Sequence, residues 1–414
     1  MATADPDMVP QAWEPVIEIG LGVIDDSEQK LRNLNKTIHS HPELAFQEFA
    51  AVKEITTFLH NEGFEVQKHA YGLETSFAAE VGSGGPLVII CAEYDALPNI
   101  GHACGHNLIA TSSIAAFLAV ARVIRSDLKA GRVRLLGTPA EEGQGGKVKL
   151  IEAGAFKEED IAAAIMAHPI STHQLERGYT GLAGMDMIAS HKFKVEFHGR
   201  PAHAGGQPWN GLNALDAAIA TYNNVSMLRQ QMRPDERVHC VIEDGGTVPN
   251  VITQYSRMNW YVRSPSMKRC DELLEKVEKC CEAGALSTGC EFNFIRAPTY
   301  KNIRVNEVLC KQYVDDMARL GERVLFRDAN TFTASTDMGN VSHEVPSFHG
   351  GFTIPTEDNI SPHHPKFAEA AGGDQAHKAA IKCGKGLARL AIRVLSDPSL
   401  AESARKEFRT TKDD

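Results

Sequence analysis

The sequence has no excess of positive charge and no long run of basic residues. Its 43 lysines and arginines are outnumbered by 53 aspartates and glutamates, which gives a formal net charge of -10. A protein of this charge offers no basic surface for phosphate backbones, so a nucleic-acid partner is excluded.

Dense cysteine pairing and hydrophobic leaders are also missing. The nine cysteines are odd in number and scattered, which is unlike the even, closely spaced cysteines of a disulfide framework. Residues 1–15 are polar and lack the features of a secretory signal. We also find no apolar run of the roughly 20 residues that a membrane helix needs. These absences predict a cytoplasmic protein without a membrane partner.

The length and composition indicate two globular domains. A chain of 414 residues exceeds a usual single core, while 43% hydrophobic and 23% charged residues are ordinary globular values. Apolar runs at 87–91, 133–136 and 162–167 alternate with helical stretches such as 109–124. This pattern predicts an α/β catalytic domain, a mostly parallel sheet with helices on both faces, built from residues 1–186 and 299–414.

Residues 187–298 have a different texture and predict an inserted domain. An amphipathic helix at 212–228 is followed by two strands at 237–243 and 254–263, then by a helix near 273–281. With a first strand near 193 and a last strand near 290–295, the order is β-α-β-β-α-β. That is the order of a ferredoxin-like α+β unit.

Candidate chemical residues follow the apolar runs of the predicted sheet. Cys104 and His106 lie after the first run, Glu141 and Glu142 after the second, and His168 at the end of the third. Each has a plainer interpretation, since a lone cysteine is commonly a buried small residue and a Glu-Glu pair is commonly a solvated turn. Their coincidence at successive strand ends, where α/β sheets carry their sites, favours a site for divalent metal.

Two further segments leave alternatives open. Gly145, Gly146 and Lys147 resemble a phosphate-binding loop, but Val148 stands where serine or threonine is needed, so we reject that interpretation. Near the C-terminus, His363 and His364 are adjacent. We prefer His363 as the candidate ligand, and a shift of one residue stays possible.

Several motifs together resemble the M20 peptidase family over nearly the whole chain. They are His41-Pro42-Glu43-Leu44 with Glu48, Asp95 to Pro98, His102 to His106, Pro139 to Gly143, Ala167 to Pro169, Gly199 to Ala204, Gly245 to Ile252 and His363 to Phe367. Asn107 stands where many relatives carry aspartate. In this respect the sequence is similar to the branch that contains aminobenzoyl-glutamate hydrolases and aminoacylase-1-like dipeptidases.

The resemblance implies a centre of two divalent ions. Cys104 would bridge the ions, Glu142 and His363 would complete one site, and His106 and His168 the other. Zinc is favoured by the thiolate, with manganese and cobalt as alternatives.

The resemblance also implies the catalytic roles. A metal-bound water would attack the amide, Glu141 would act as general base, and Asp95 would orient a ligand.

The resemblance further assigns roles outside the metal set. His203 would reach the active site of a neighbouring subunit and stabilise the oxyanion, which implies a homodimer formed through the inserted domain acting as a lid. Asn250 and Arg263 would hold the substrate's backbone or carboxylate, and Asp337 would lie near the substrate.

The predicted function is hydrolysis of an amide bond in a small N-acyl amino acid or dipeptide with a free carboxylate. Two alternatives remain at this point. The same site could form an amide bond, or the chain could be a non-catalytic binding protein that keeps the fold. The second is disfavoured because no ligand and no base is missing from the motifs.

Overall fold

The computed structural model describes residues 13–126, 131–328 and 333–411. Its α-helices are, in chain order, α1 Glu14–Asp26, α2 Glu28–Ser40, α3 Phe49–Asn61, α4 His106–Ser126, α5 Glu141–Gln144, α6 Gly146–Glu152, α7 Ala214–Leu228, α8 Met267–Thr288, α9 Glu307–Arg319, α10 Met338–Ser342, α11 Pro365–Ala371, α12 Asp374–Ser396 and α13 Pro398–Thr410.

The β-strands alternate with these helices along most of the chain. They are β1 Gln67–Lys68, β2 Phe77–Ser83, β3 Leu87–Ala92, β4 Gly131–Gly137, β5 Ile161–Ser171, β6 Gly181–Gly184, β7 Ala189–His198, β8 Arg237–Asp244, β9 Tyr255–Ser264, β10 Glu291–Arg296, β11 Val324–Arg327 and β12 Ser347–Ile354.

The chain divides into two compact units. The first comprises the described residues of 1–186, 303–332 and 337–414, and the second comprises 187–302 with 333–336. The second unit is therefore longer than the predicted segment 187–298. Tyr300 pairs with Ser190, and Ile188 donates its N–H to the carbonyl of Ala334 at 3.0 Å, so the added residues belong to its backbone pairing.

An eight-stranded mixed sheet forms the centre of the first unit, in the order β1-β2-β4-β3-β5-β12-β6-β11. The neighbouring pairs β4-β3, β3-β5 and β5-β12 in its middle are parallel. All six residues of β3 are buried, as expected of a strand covered on both faces. The α/β class with a mostly parallel sheet is thus confirmed.

Helices α4 and α12 pack against each other and against β5. Gly384 of α12 permits close approach, since a Cβ there would lie 2.8 Å from the carbonyl oxygen of Ser112. Helix α4 is long and apolar enough to cross a membrane, although 94% of its apolar window is buried inside the protein. The expectation that no apolar segment has this length is therefore wrong. Helix α4 is apolar because it lies in the protein core, where other parts of the chain cover its apolar side chains.

The second unit contains a four-stranded antiparallel sheet in the order β10-β7-β9-β8. Its chain order is β7-α7-β8-β9-α8-β10. Strand β9 alternates strictly between buried and partly exposed residues, which places Met258, Trp260 and Val262 in the core between sheet and helices. Helix α8 is longer than the predicted 273–281. Charged residues in its first turns, and the small residues Gly284 and Ala285 near its end, obscure the apolar periodicity that predicts a helix.

Candidate metal centre

Three neighbouring strands of the first unit deliver the candidate residues to one place. Strand β3 leads to Asp95 and then to the loop carrying Cys104, while β4 leads to the turn with Glu141. Strand β5 carries His168 itself. Because β3 runs parallel to both β4 and β5, their carboxyl ends lie at the same edge of the sheet.

The prediction that His168 terminates its strand is wrong. Strand β5 continues to Ser171, and His168 lies opposite Gly351 of β12. Gly105 makes room for the approach of the loop to β5, because a Cβ at Gly105 would lie 2.6 Å from Cγ of Pro169. Its φ of +76° also favours glycine.

The first group of potential metal ligands comprises Cys104, His106 and His168, whose donor atoms lie within 4.8 Å of one another. The Cys104 Sγ is 3.3 Å from Nε2 of His168. The other ring nitrogen of His168, Nδ1, contacts the carbonyl oxygen of Pro169 at 2.7 Å, which orients Nε2 toward the thiol.

The second group shares Cys104 and adds Glu142 and His363. The Nε2 of His363 lies 3.3 Å from Oε1 of Glu142. His363 has a φ of +71°, and its N–H donates to the carbonyl of Ala103 at 2.8 Å. His364 instead accepts the N–H of Lys366 as the N-cap of α11, so the geometry brings His363 rather than His364 to the cluster.

Unsatisfied buried atoms test whether cations fit here. His106 Nε2, Glu93 Oε2 and Glu142 Oε1 are buried and make no hydrogen bond of acceptable geometry among the described residues. Glu93 Oε2 lies 3.6 Å from His106 Nε2, and Glu142 Oε1 lies 4.0 Å from it. Ligands of one divalent ion at bond lengths of about 2.0–2.3 Å are separated by similar distances. The donor set and its spacing therefore fit divalent metal.

Asp95 connects two of the candidate residues. Its Oδ1 lies 3.0 Å from His106 Nδ1, and its Oδ2 accepts the N–H of Glu142 at 2.9 Å. Asp95 is buried, so both contacts are shielded from water. One carboxylate thus orients the His106 ring and also holds the backbone of the Glu141-Glu142 turn.

The Glu141-Glu142 turn has an unusual backbone. Ala140 adopts a φ of +59°, which costs a non-glycine residue roughly 1–2 kcal/mol. The buried carboxylate of Glu48 accepts the N–H of Ala140 at 2.8 Å. Burial, followed by the negative charge of Asp95, raises the pKa of Glu48 to about 7.

The two glutamates of the turn have opposite electrostatics. Burial, together with the charges of Glu93 and Glu142, raises the pKa of Glu141 well above its usual range. Burial also opposes ionisation of Glu142, but contacts with His363 and His106 outweigh it and lower its pKa to about 2. Glu142 is therefore suited to bind cations as an anion, and Glu141 is suited to exchange a proton.

Lys147 is a residue of this region that the sequence does not reveal. Its Nζ donates to Glu93 Oε1 at 2.5 Å and to Asp337 Oδ1 at 2.7 Å, and its backbone N–H donates to Asp337 Oδ2 at 2.9 Å. Burial favours the neutral amine, but Asp337 and Glu93 outweigh it and raise the pKa of Lys147. No sequence signal distinguishes this lysine from a solvated one.

Asp337, which the sequence predicts to lie near the substrate, binds Lys147 in the structure. It is fully buried, and both of its carboxylate oxygens are bound by Lys147. Asp337 thus lies in the interior of the first unit and is connected through Lys147 to Glu93, which faces His106. Its role near the substrate stays a prediction.

The remaining predicted residues lie in the second unit. The exposed His203 accepts the N–H groups of Gly205 and Gly206, and the segment before Gly205 pairs with the segment of Asn250 through an Ala204 N–H to Asn250 carbonyl bond of 3.0 Å. Arg263 lies near the end of β9 and donates to the carbonyl of Thr333 at 3.2 Å.

Comparison with known proteins identifies the family. The model of peptidase family M20/M25/M40 matches residues 89–382, a range that includes both groups of candidate ligands. The chain belongs to the M20 peptidase family. It is therefore an enzyme of a metallo-amidohydrolase and peptidase family, whose members hydrolyse amide or peptide bonds.

Relatives of this M20 peptidase include two mammalian proteins named Xaa-Arg dipeptidase. The Mus musculus protein is 42% identical over 93% of this chain and 90% of its own length, and the Homo sapiens protein is 40% identical with the same coverage. One component of the p-aminobenzoyl-glutamate hydrolase of Escherichia coli is 30% identical over 64% of this chain and 57% of its own length.

Solved structures share the fold of this M20 peptidase. A dinuclear metal binding peptidase of the M20 family from Bacillus subtilis superimposes with a TM-score of 0.65 at 24% identity, covering 90% of this chain and 99% of its own. A putative aminohydrolase from methicillin resistant Staphylococcus aureus gives a TM-score of 0.72 at 21% identity, covering 91% and 98%.

Proposed function

We propose that this M20 peptidase is a metal-dependent dipeptidase that acts on small dipeptides with a free carboxylate and a C-terminal arginine or similar basic residue. The observation that carries the proposal is the convergence of both ligand groups on Cys104, with Glu141 beside them. The substrate class is taken from the two Xaa-Arg dipeptidases, which this chain matches over 90% of their length. N-acyl amino acids are the neighbouring class that the same site chemistry would accept.

The residues that would hold two divalent ions are Cys104, shared by both, with Glu142 and His363 on one side and His106 and His168 on the other. Thiolate and imidazole together favour zinc, and manganese or cobalt would also be accepted. When bound, the ions would polarise the amide carbonyl and acidify the attacking water. Burial, followed by the negative charge of Glu142, raises the pKa of the Cys104 thiol, whereas a coordinated thiol is deprotonated.

Proton transfer is the task we assign to Glu141. Its carboxylate would accept a proton from the attacking water and give that proton to the leaving nitrogen. A raised pKa suits both steps, since the group must release the proton as readily as it takes it. Asp95 would keep the ring of His106 oriented and hold the turn that carries Glu141.

For the second unit we propose an inserted ferredoxin-like lid, corresponding to the predicted domain 187–298. Arg263 lines a concave pocket of about 360 Å³ in this unit together with Arg229 and Arg237. Glu236 also lines this pocket, so its lining carries three arginines against one glutamate. An excess of arginine suits a substrate carboxylate. We retain Asn250 as a contact of the substrate's backbone and His203 as the group that stabilises the oxyanion in the site of a second copy.

A homodimer through the second unit is part of this proposal. Strand β8 forms an edge of its sheet, and Val241 and Ile242 on this strand are 59% and 42% exposed. An exposed apolar edge strand is suited to pair with a second copy.

All nine cysteines are free thiols, which supports a reducing, cytoplasmic location.

The test combines metal content with a substrate panel. Chelator-free protein would be analysed by mass spectrometry and assayed on dipeptides ending in arginine, lysine, alanine and glutamate, and on N-acetyl-arginine. We expect two divalent ions per chain, fewer in Cys104→Ala, and fastest turnover of the basic dipeptides. Full metal loading without turnover of any panel member would contradict the dipeptidase proposal.

A further inference from the structure

Three polar side chains of the first unit form a buried chain of hydrogen bonds that the proposed function does not use. Asn107, Asn35 and His377 are 0%, 2% and 1% exposed. Nδ2 of Asn107 donates to Oδ1 of Asn35 at 2.7 Å, and Nδ2 of Asn35 lies 3.2 Å from Nδ1 of His377. The three residues lie in different helices, so the chain of hydrogen bonds joins α4 to α2 and α2 to α12.

A backbone carbonyl fixes the direction of these hydrogen bonds. The Asn107 amide contacts the carbonyl of Ala371 at 3.0 Å, and a carbonyl only accepts, so the atom of Asn107 at this contact is its nitrogen. The same nitrogen faces Asn35, which therefore presents its oxygen to Asn107 and its N–H to His377. Nδ1 of His377 must accept this N–H, which leaves the ring neutral with its proton on Nε2.

The surroundings of His377 agree with a neutral ring. Burial, followed by the positive charge of Arg32, lowers the pKa of His377 to about 4. Nε2 of His377 and Oδ1 of Asn107 are buried, and neither makes a hydrogen bond of acceptable geometry among the described residues. Unsatisfied buried atoms lower stability, so a gain in stability alone does not account for this arrangement.

The hydrogen bonds begin beside a proposed metal ligand. Asn107 directly follows His106 at the start of α4, and the carbonyl of Ile38 in α2 accepts a hydrogen bond from Nε2 of His102 at 3.1 Å. Asn35 and Ile38 lie about one turn apart on α2. One helix therefore holds residues on both sides of the proposed bridging thiol.

The second partner of the Asn107 amide belongs to another element of the site. Ala371 is the last residue of α11, and this helix follows His363 along the chain. His363 belongs to one group of candidate ligands and His106 to the other. Through its two N–H bonds, Asn107 thus contacts α2 on one side and α11 on the other.

We propose that Asn107 is a positioning residue, which donates through Asn35 toward a neutral His377 and so holds the start of α4, and with it His106, against α2 and α11. The positioning of His106 as a metal ligand rests on the proposed function. The direction of the hydrogen bonds, and with it the proton on Nε2 of His377, depends on neither metal nor substrate.

Nitrogen NMR of metal-free protein with labelled histidine tests the direction of the hydrogen bonds, because protonated and unprotonated ring nitrogens differ in chemical shift. The chain has 17 histidines, and the signals missing from His377→Gln identify His377. In the wild-type protein at neutral pH we expect a proton on Nε2 and none on Nδ1. A proton on Nδ1 would overturn the proposed direction.

Asn35→Asp adds a test that a purely structural role would not pass. Its carboxylate still accepts from Asn107, but its second oxygen now faces His377, so we expect the proton to move to Nδ1. Both oxygens retain a donor, and the variant should therefore fold. Asn33→Asp changes an exposed asparagine of the same helix and should leave the His377 signals as in wild type. Wild-type His377 signals in folded Asn35→Asp would contradict the proposal.

Asn107→Leu tests the positioning of His106, since it removes the two N–H donors at similar size and without added charge. We expect the zinc affinity, measured by competition with a chromophoric chelator, to fall about 10–100-fold, as is typical when the residues supporting a metal ligand are lost. Asn107→Ala removes the same donors without added volume and should show the same loss if Asn107→Leu does not fold. Asn33→Asp should bind zinc as the wild-type protein does.

The outcomes separate the two proposals. Wild-type zinc affinity in a folded Asn107 variant would overturn the positioning role. If the wild-type protein binds no divalent ion, or binds two and cleaves no dipeptide, the proposed function fails. The NMR signals of His377 still decide the direction of the hydrogen bonds in either case.

Discussion

Glu141 and Glu142 are neighbours in sequence, yet their surroundings give them different tasks. Glu142 contacts His363 and His106 and is kept anionic, whereas Glu141 is buried near Glu93 and has a raised pKa. This is the arrangement expected when one carboxylate binds cations and its neighbour transfers protons.

Replacing Glu141 by glutamine therefore tests proton transfer without a change in size. We expect Glu141→Gln to lower kcat by about 10²–10⁴-fold, the range of general acid-base catalysis, while the ion content and the melting temperature stay close to wild type. Glu152→Gln, which changes a glutamate at the end of the following helix, is the matched control. Loss of bound metal in Glu141→Gln would show that Glu141 is a ligand instead.

Glu48 predicts a pH dependence of stability. Its pKa is about 7 in the folded protein, against an ordinary value of 4.5 for glutamate, so the folded state binds the proton more tightly. Its contribution is favourable below pH 4.5 and is lost as pH rises toward and through 7. From about pH 5 to about pH 8 the wild-type protein should lose about 2–3 kcal/mol relative to Glu48→Gln, which does not titrate.

Chemical denaturation of metal-free protein at several pH values would measure this difference. Glu65→Gln, at an exposed glutamate, should follow the wild-type curve at every pH. A constant difference between wild type and Glu48→Gln across this range would mean that Glu48 is not protonated in the folded protein.

Some residues of the site were predictable and others were not. Cys104, His106 and Glu142 follow apolar runs that the sequence shows, so their common edge follows from the parallel sheet. The phosphate-loop pattern at Lys147 is rejected on good grounds, but the burial of this lysine depends on Glu93 and Asp337, which are 54 and 190 residues away. Side-chain burial set by such distant partners has no local pattern in the sequence.

At the scale of elements, the connection from β4 to α6 determines where the glutamates point. Gly146 begins α6, and a Cβ there would lie 1.7 Å from the carbonyl oxygen of Pro139. The N–H of Gly146 also donates to the carbonyl of Ala140 at 3.2 Å. The atom that a Cβ at Gly146 would meet belongs to the backbone, so no flexible side chain can move aside to make room. A methyl group at Gly146 must therefore displace the turn.

Gly146→Ala should therefore lower both the melting temperature and kcat/KM, the latter by at least about 100-fold, because the turn carries Glu141. Gly22→Ala is the contrasting variant, since a Cβ at Gly22 in α1 meets nothing within 4 Å. In a helix interior that change should stabilise the protein by about 0.4–1 kcal/mol. Thermal denaturation and steady-state kinetics of both variants check the prediction, and wild-type activity in Gly146→Ala would contradict it.

Element boundaries show the same limits of sequence reasoning. The sequence of 375–395 predicts a long helix, and the structure places it at Asp374–Ser396. Its first half buries one face, whereas residues 386–395 are buried on all sides. Strand β5 is predicted to end near His168 and continues to Ser171, because β12 pairs with it through Ile354. A strand's length is decided by its partner, which the sequence of the strand alone does not contain.

At the scale of the whole molecule, the proposed dimer makes a prediction that a monomeric enzyme would not share. Glu141 lies in the first unit and His203 in the second. If His203 acts in the site of the other copy, Glu141→Gln and His203→Ala each disable every site of their own homodimer. A heterodimer of the two variants contains one site with both residues intact.

Mixing the two inactive variants under conditions of subunit exchange should therefore restore activity to about one quarter of the wild-type value, since half of the dimers are mixed and each has one working site. A mixture of Glu141→Gln with Cys104→Ala is the control and should restore nothing, because both lesions lie in the same unit. Activity and the recovery of differently tagged chains would be measured in the same sample. If mixed dimers form without restored activity, His203 acts within its own chain or has no catalytic role. The second unit would then be a lid that supplies no catalytic residue to the other copy of the dimer.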